Sequence, residues 1–281
     1  MRALRPLYLA AILAVVVAPL AAQRGGGGGG GGGGMRGRSP EVEERVGAYF
    51  VTVQPEPAAA AAPAAAGAGK GEAADDPVAR LPFVTTAVGQ KQRSVVYLCD
   101  AATDSEKHQA FERMLFTDDV GVALRFFTCA RIDVSAASGA ALRAQFGKAT
   151  PLFLVYDATG KRCGEVSMAG YKPETKDLLE ALDAAVGKTN KIGLSAFVKQ
   201  YRDVVRDLDR LGQQQKLLDE RDKKIDSGDK QKRAEMDAER KQLEAEHKKV
   251  LETERELLQK VDMPPRAEGA ERVGRGRRGG R

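Results

Sequence analysis

The chain has 281 residues, with 45 Lys and Arg against 39 Asp and Glu, a net charge of +6 and no Trp. Its three cysteines are too few for a disulfide-built scaffold. The 42% apolar content is inflated by alanine, which excludes a core running the whole length and leaves one small domain with accessory segments.

Residues 1–22 have the pattern of a secretory signal: Arg2 and Arg5, an apolar run from Leu7 to Ala18, and a Pro19-Leu20-Ala21-Ala22 exit, with cleavage expected after Ala22. The run is shorter than the ~20 residues that span a bilayer; an uncleaved anchor is the alternative. On this reading the chain is exported and works in the periplasm or outside the cell. Residues 23–80 read as a linker. Ten consecutive glycines (Gly25 to Gly34) and an Ala/Pro/Gly tract (Pro55 to Gly71) cannot bury enough apolar surface to offset the entropy of ordering them. One island inside it, Glu41 to Val53 (E-V-E-E-R-V-G-A-Y-F-V-T-V), suits a short helix or strand, at the domain edge or loose.

From Leu81 the texture changes. Ser94 to Cys99 is a run of β-formers, as expected of a strand buried on both faces. Ser105 to Leu115 places Phe111, Met114 and Leu115 at helical spacing. Arg125 to Val134 predicts a second strand and Gly139 to Phe146 a short helix. Leu152 to Tyr156 and Cys163 to Met168 predict two strands joined by Asp157-Ala158-Thr159-Gly160, a turn with Gly at a positive φ. Lys172 to Val186 is amphipathic, with Leu178, Leu179, Leu182 and Val186 on one face, and Gly187 ends it. Helices between the early strands imply parallel pairing, and the tight turn makes the last pair antiparallel. The expected class is α/β, a mixed sheet with helices on both faces.

Residues 195–262 are charged, helical in character and free of proline up to Val261. Counting by sevens from Tyr201 gives Leu208, Gln215, Asp222, Asp229, Met236, Leu243, Val250 and Leu257, with Val204, Leu211, Leu218 and Ile225 as a companion row. This is a coiled-coil pattern, and it predicts a homo-oligomer through 195–262. Ser227-Gly228-Asp229 can break the segment into a hairpin. The row keeps its register across Gly228, which favours one interrupted helix. A single solvated helix with i,i+4 charge pairs is the plainer alternative. Residues 263–281 form a basic, disordered tail whose Arg275, Arg277, Arg278 and Arg281 suit contact with a polyanion.

The stretch Gln145 to Tyr171 combines a helix end, Thr150-Pro151, an apolar strand, the D-x-T-G turn, a second strand and Gly170-Tyr171. That order resembles the substrate-binding edge of thioredoxin-like domains. The resemblance implies a thioredoxin-like fold over 81–187, with Pro151 cis and facing the place where a redox motif would lie. There the chain reads Y-L-C-D-A-A-T-D-S-E-K-H, with no Cys-x-x-Cys. The family pattern puts Thr103 and Glu106 at the two cysteine positions, and the usual tryptophan is missing. A threonine hydroxyl cannot act as a resolving thiol, and Glu106 reads as a carboxylate at a helix start. Dithiol exchange is not supported. A groove shaped by Thr150 and Pro151 survives the loss, and it suits a protein or peptide partner with an extended segment. The alternative is that the cis bond only completes the fold.

Cys99, at the end of the first strand, is open to three readings: a small buried hydrophobe, a lone reactive thiol near Pro151, or half of a disulfide with Cys129 on a neighbouring strand. Cys163 follows the hairpin turn, is expected to be partly exposed, and could join two chains. His108 is expected to lie solvated on its helix, with no third group to orient it as a base. No His/Cys cluster has zinc-ligand spacing and no glycine pattern suits a phosphate, so neither metal nor cofactor is expected. Three functions compete: a non-catalytic binding or scaffolding module, an envelope thiol–disulfide oxidoreductase or peroxidase-like enzyme using Cys99, and an envelope spacer.

Overall fold

The computed structural model describes residues 38–54, 76–100, 102, 105–167, 174–187, 191–225 and 229–273. The expected signal segment, both low-complexity tracts, Thr103, Gly228 and the four terminal arginines lie outside the described residues.

Two elements precede the domain boundary expected at residue 81. Ser39 caps α1 (Pro40–Val46), its Oγ accepting from the Val42 N–H at 3.3 Å, and Pro40 sits where its missing N–H costs nothing. Strand β1 (Tyr49–Thr52) follows, and the island at Glu41–Val53 is thereby placed in the sheet. Then come α2 (Pro82–Gly89), β2 (Arg93–Cys99), α3 (Ser105–Glu112), a 3-10 turn (Arg113–Phe116), α4 (Asp118–Leu124) and β3 (Phe127–Asp133). A second 3-10 turn (Ala137–Gly139) leads into α5 (Ala140–Phe146), β4 (Leu152–Tyr156), β5 (Arg162–Ser167) and α6 (Thr175–Val186). Two helices, α7 (Leu194–Asp222) and α8 (Lys230–Leu258), and a two-residue strand β6 (Glu271–Arg272) are the last elements among the described residues.

Among the described residues the sheet has six strands, in the order β5-β4-β2-β3-β1-β6. β3 lies parallel to β1 and β2, whereas β4 is antiparallel to β2 and β5, and β6 is antiparallel to β1. This mixed α/β sheet flanked by helices is compatible with a thioredoxin-like arrangement. The D-A-T-G turn forms as expected: Gly160 takes φ 83°, and Asp157 Oδ1 accepts from Thr159 N and Oγ1 and from Lys161 N.

Alternation along the strands divides the core into two layers. Val95, Tyr97, Cys99, Cys129, Phe153 and Val155 face α1, α3, α4, α6 and α7. Val96, Leu98, Ile132, Val134, Leu152, Leu154 and Tyr156 face α2 and α5. β2 is buried along its whole length, which explains the apolar run from Val95 to Cys99 within it.

The C-terminal helices form an antiparallel hairpin, not the single interrupted helix that the sevenfold register favours. Arg210 meets Glu246, Arg221 meets Glu239, and Arg240 lies near Asp219 and Asp222, so rising numbers on one helix face falling numbers on the other. The row at the break consists of Asp222 and Asp229, which have no apolar seam to extend. Asp229 instead starts α8, its Oδ1 accepting from the Lys232 N–H at 3.2 Å. The apolar row is satisfied within one chain. Phe197, Tyr201, Val204, Val205 and Leu208 join the domain core, each burial contributing about 1.5–3 kcal/mol, and Leu211 and Leu218 are also buried. Self-association through 195–262 therefore requires the outward faces of the hairpin.

Residues 263–273, expected to belong to the tail, pack against the domain. Val261 and Met263 pack on the core, and β6 returns to pair Arg272 with Tyr49 and Glu271 with Phe50. Among the described residues, no helix is long and apolar enough to cross a membrane.

Candidate functional site

The C-terminal end of β2 and the start of β4 meet at the sheet end nearest the expected groove. Leu98 pairs with Leu152, so Cys99 and Pro151 are the next residues on two adjacent strands. The Thr150–Pro151 bond is cis, Pro151 is buried, and the Thr150 hydroxyl donates to Gly147 O at 2.9 Å. Glu106 is exposed in the first turn of α3, where its charge complements the helix N-terminus.

Cys99 points away from solvent. It is 0% exposed, its Sγ donates to Ile132 O at 3.4 Å, and Arg131 Nε donates to that sulfur at 3.4 Å. Burial pushes the thiol above its ordinary range, and the Arg131 guanidinium only partly opposes the shift. Arg131 divides its charge with Glu112, whose Oε1 is 3.3 Å away, and lies 5.7 Å from the Tyr97 ring centroid. The arrangement favours the protonated, shielded thiol over a nucleophilic thiolate.

Cys99 does not reach Cys129. Cys129 pairs with Val95 while Cys99 pairs with Asp133, a stagger of four residues or ~13 Å along the strands. Both point to the same face, as expected, but all three thiols are free, and Cys129 is buried with its pKa raised by desolvation. Cys163 is half-buried, as expected.

His108 is corrected from solvated to buried, at 8% exposure. Its Nε2 accepts the Asp100 backbone N–H at 2.8 Å, which requires a free lone pair on that nitrogen. The imidazole thereby closes the chain where β2 ends, ahead of α3. Asp100 is itself 5% exposed, with Oδ2 3.4 Å from Arg143 and Oδ1 without a hydrogen-bond partner among the described residues. Asp100 and Arg143 are therefore polar residues of this sheet end that sequence reasoning missed, and His108, which it named, has a buried structural role that it did not foresee. Asp100 follows β2 and His108 lies on α3, so no single helical or strand period links them and no local signal announces the pair.

At the opposite side of the sheet, a cleft of about 180 Å³ lies between β1, β3 and the segment after α8, and its lining includes Glu44, Tyr49, Arg125, Cys129 and Arg266. Behind it, four elements share one polar network. Arg125 donates to Tyr201 Oη, Tyr201 donates to Glu254 Oε1, and Arg45 donates to both Glu254 oxygens. Burial raises the Tyr201 phenol to about 12. Burial also pushes the Glu254 carboxyl upward, but hydrogen bonds from Arg45 and Tyr201 and the charges of Arg45 and Arg125 outweigh it and hold the group below its ordinary value. Among the described residues, no group of three or more His, Cys, Asp or Glu is placed to hold a metal ion.

No family model matches the chain, and a comparison with curated proteins finds no match.

Proposed function

We propose that the chain is an exported, non-catalytic protein of thioredoxin-like fold that serves as a binding or scaffolding module in the cell envelope. The observation that carries the reading is that Cys99, next to Pro151 on adjacent strands, presents a thiol that is shielded from solvent and raised in pKa. Exchange chemistry needs an accessible thiolate. Peptide recognition needs only a groove and free backbone groups. The signal-like first 22 residues support export, and an extended protein segment is the partner that the Thr150-Pro151 groove suits.

Thiol accounting separates this reading from the Cys99 enzyme. With a chromogenic disulfide in native buffer, Cys163 is expected to react alone, and Cys99 and Cys129 only after denaturation. Insulin-disulfide reduction is expected to run at the uncatalysed rate. Turnover that disappears in Cys99→Ser establishes the oxidoreductase instead. For binding, displayed extended peptides selected on the native chain are expected to lose affinity for Thr150→Arg; peptides indifferent to that change overturn the groove.

A further inference from the structure

Acidic side chains cluster beside the outer edge of β1. Glu41 and Glu43 lie in the first turn of α1, and Glu44 follows. Arg45 cannot neutralise all three, because it is held by Glu254 and Glu41. The charges of Glu43 and Glu44 are met instead by two arginines from the far end of the chain. Arg266 lies with its guanidinium carbon 3.6 Å from the Tyr49 ring centroid, NH1 3.3 Å from Glu44 Oε1, and NH2 donating to Glu44 O at 3.3 Å. An aromatic face beside a carboxylate and a carbonyl is a built recognition site for a guanidinium. Arg272 NH1 donates to Glu43 Oε2 at 2.7 Å.

Between these anchors, β6 pairs with β1 through only two residues, and Val273 N donates to Ala48 O at 2.9 Å. Backbone pairing of this kind accepts any extended sequence, so the arginines supply the selectivity. The hold is exchangeable. Both arginine side chains are 40% exposed, Glu43 and Glu44 43% and 67%, and exposed ion pairs give way to water and salt.

We propose that the outer edge of β1, with Glu43, Glu44 and Tyr49 beside it, is a docking surface for an extended, arginine-bearing peptide, and that residues 266–273 occupy it in cis. The chain's own segment acts as an internal competitor that a partner peptide displaces. β2 and β3 separate this edge from β4 and the Pro151 groove, and the inference does not depend on that groove.

The test is hydrogen exchange on the full chain, wild type and Arg266→Ala/Arg272→Ala. The double variant is expected to exchange about tenfold faster in residues 48–52 and 271–273, with β2 and β4 unchanged, as a local opening requires. The peptide R-A-E-G-A-E-R-V, added in trans, is expected to restore protection to residues 48–52 in that variant. The same peptide with both arginines replaced by alanine is expected not to. Unaltered exchange in the variant, failure of the arginine peptide to protect an opened edge, or equal protection by the alanine peptide overturns the proposal. If the double variant loosens β2 and β4 as well, Glu43→Gln/Glu44→Gln is measured instead, alongside the wild type in 1 M salt. Both are expected to open the same two segments alone, and the arginine peptide is expected not to protect the glutamine variant. Unaltered exchange in both, or protection of that variant by the peptide, overturns the proposal.

Discussion

Glu254 on α8 receives Arg45 of α1 in a two-pronged pair, Nε to Oε1 at 2.9 Å and NH2 to Oε2 at 3.0 Å, across 209 positions of sequence. Tyr201 of α7 donates to the same Oε1, so one carboxylate ties the hairpin to the domain from both of its helices. The pair is mostly shielded, with side-chain exposures of 19% and 10%, and it is stronger than the arginine contacts that hold β6.

This network makes the docked hairpin acid-sensitive. The Glu254 carboxyl titrates below its unfolded value, so the folded state binds this proton less readily than the unfolded one. Its contribution is fully present above the ordinary carboxylate range near pH ~4.3 and is lost as pH falls through the folded value. Thermal melts between pH 7 and pH 3 are expected to show a steeper loss for the wild type than for Glu254→Gln. At pH 7 that variant is expected to be less stable by about 1.5–3 kcal/mol, the range for hydrogen bonds to charged groups. Parallel pH curves for the two proteins contradict the assignment.

Gly121 on α4 lies against the end of α1. A Cβ at this position would stand 1.7 Å from Val46 O, a backbone atom that cannot rotate away. Gly121→Ala is therefore expected to cost about 3 kcal/mol, the upper part of the overpacking range, through displacement of α1. Gly212→Ala is the control, since its Cβ would meet nothing within 4 Å, and in a helix interior it is expected to stabilise by ~0.5–1 kcal/mol. Urea midpoints of the two variants shifting in the same direction would contradict this reading.

His108→Ala removes the acceptor of the Asp100 N–H from a buried place. The expected cost is about 1–3 kcal/mol, the penalty of an orphaned buried donor. Faster amide exchange at Asp100 with unchanged exchange in β5 would mark the effect as local. His108→Gln, which offers a side-chain oxygen, is expected to recover part of the loss. Unchanged stability in His108→Ala would mean that water satisfies the amide.

Where an element's pattern was local, residues alone were enough to read it. β2 and β4 appear as apolar runs because helices cover both faces of the sheet there, and Asp157 to Gly160 form a turn whose hydrogen bonds stay within five residues. The expectation of a cis Pro151 came from the order of motifs around it, and the bond is cis. The hairpin was harder. Both the one-helix and the two-helix reading fit the same sevenfold row, and the choice depended on contacts between residues such as Arg221 and Glu239. At the candidate site, Cys99 and Pro151 were legible, whereas Asp100, Arg131 and the buried role of His108 were not, because each depends on a partner from a different element.

The sequence by itself determined the α/β class, the turn chemistry, the missing dithiol and the helical character of 195–262, since these follow from period, residue type and local backbone preference. Only the tertiary structure decided that the Glu41–Val53 island supplies α1 and the strand β1, that β6 pairs with β1, and that Cys99 is shielded and out of reach of Cys129. Strand pairing and ion pairing depend on which distant segments meet. The free energy that selects those meetings comes from shared burial of the two core layers, a property of the assembled chain that no window of residues carries.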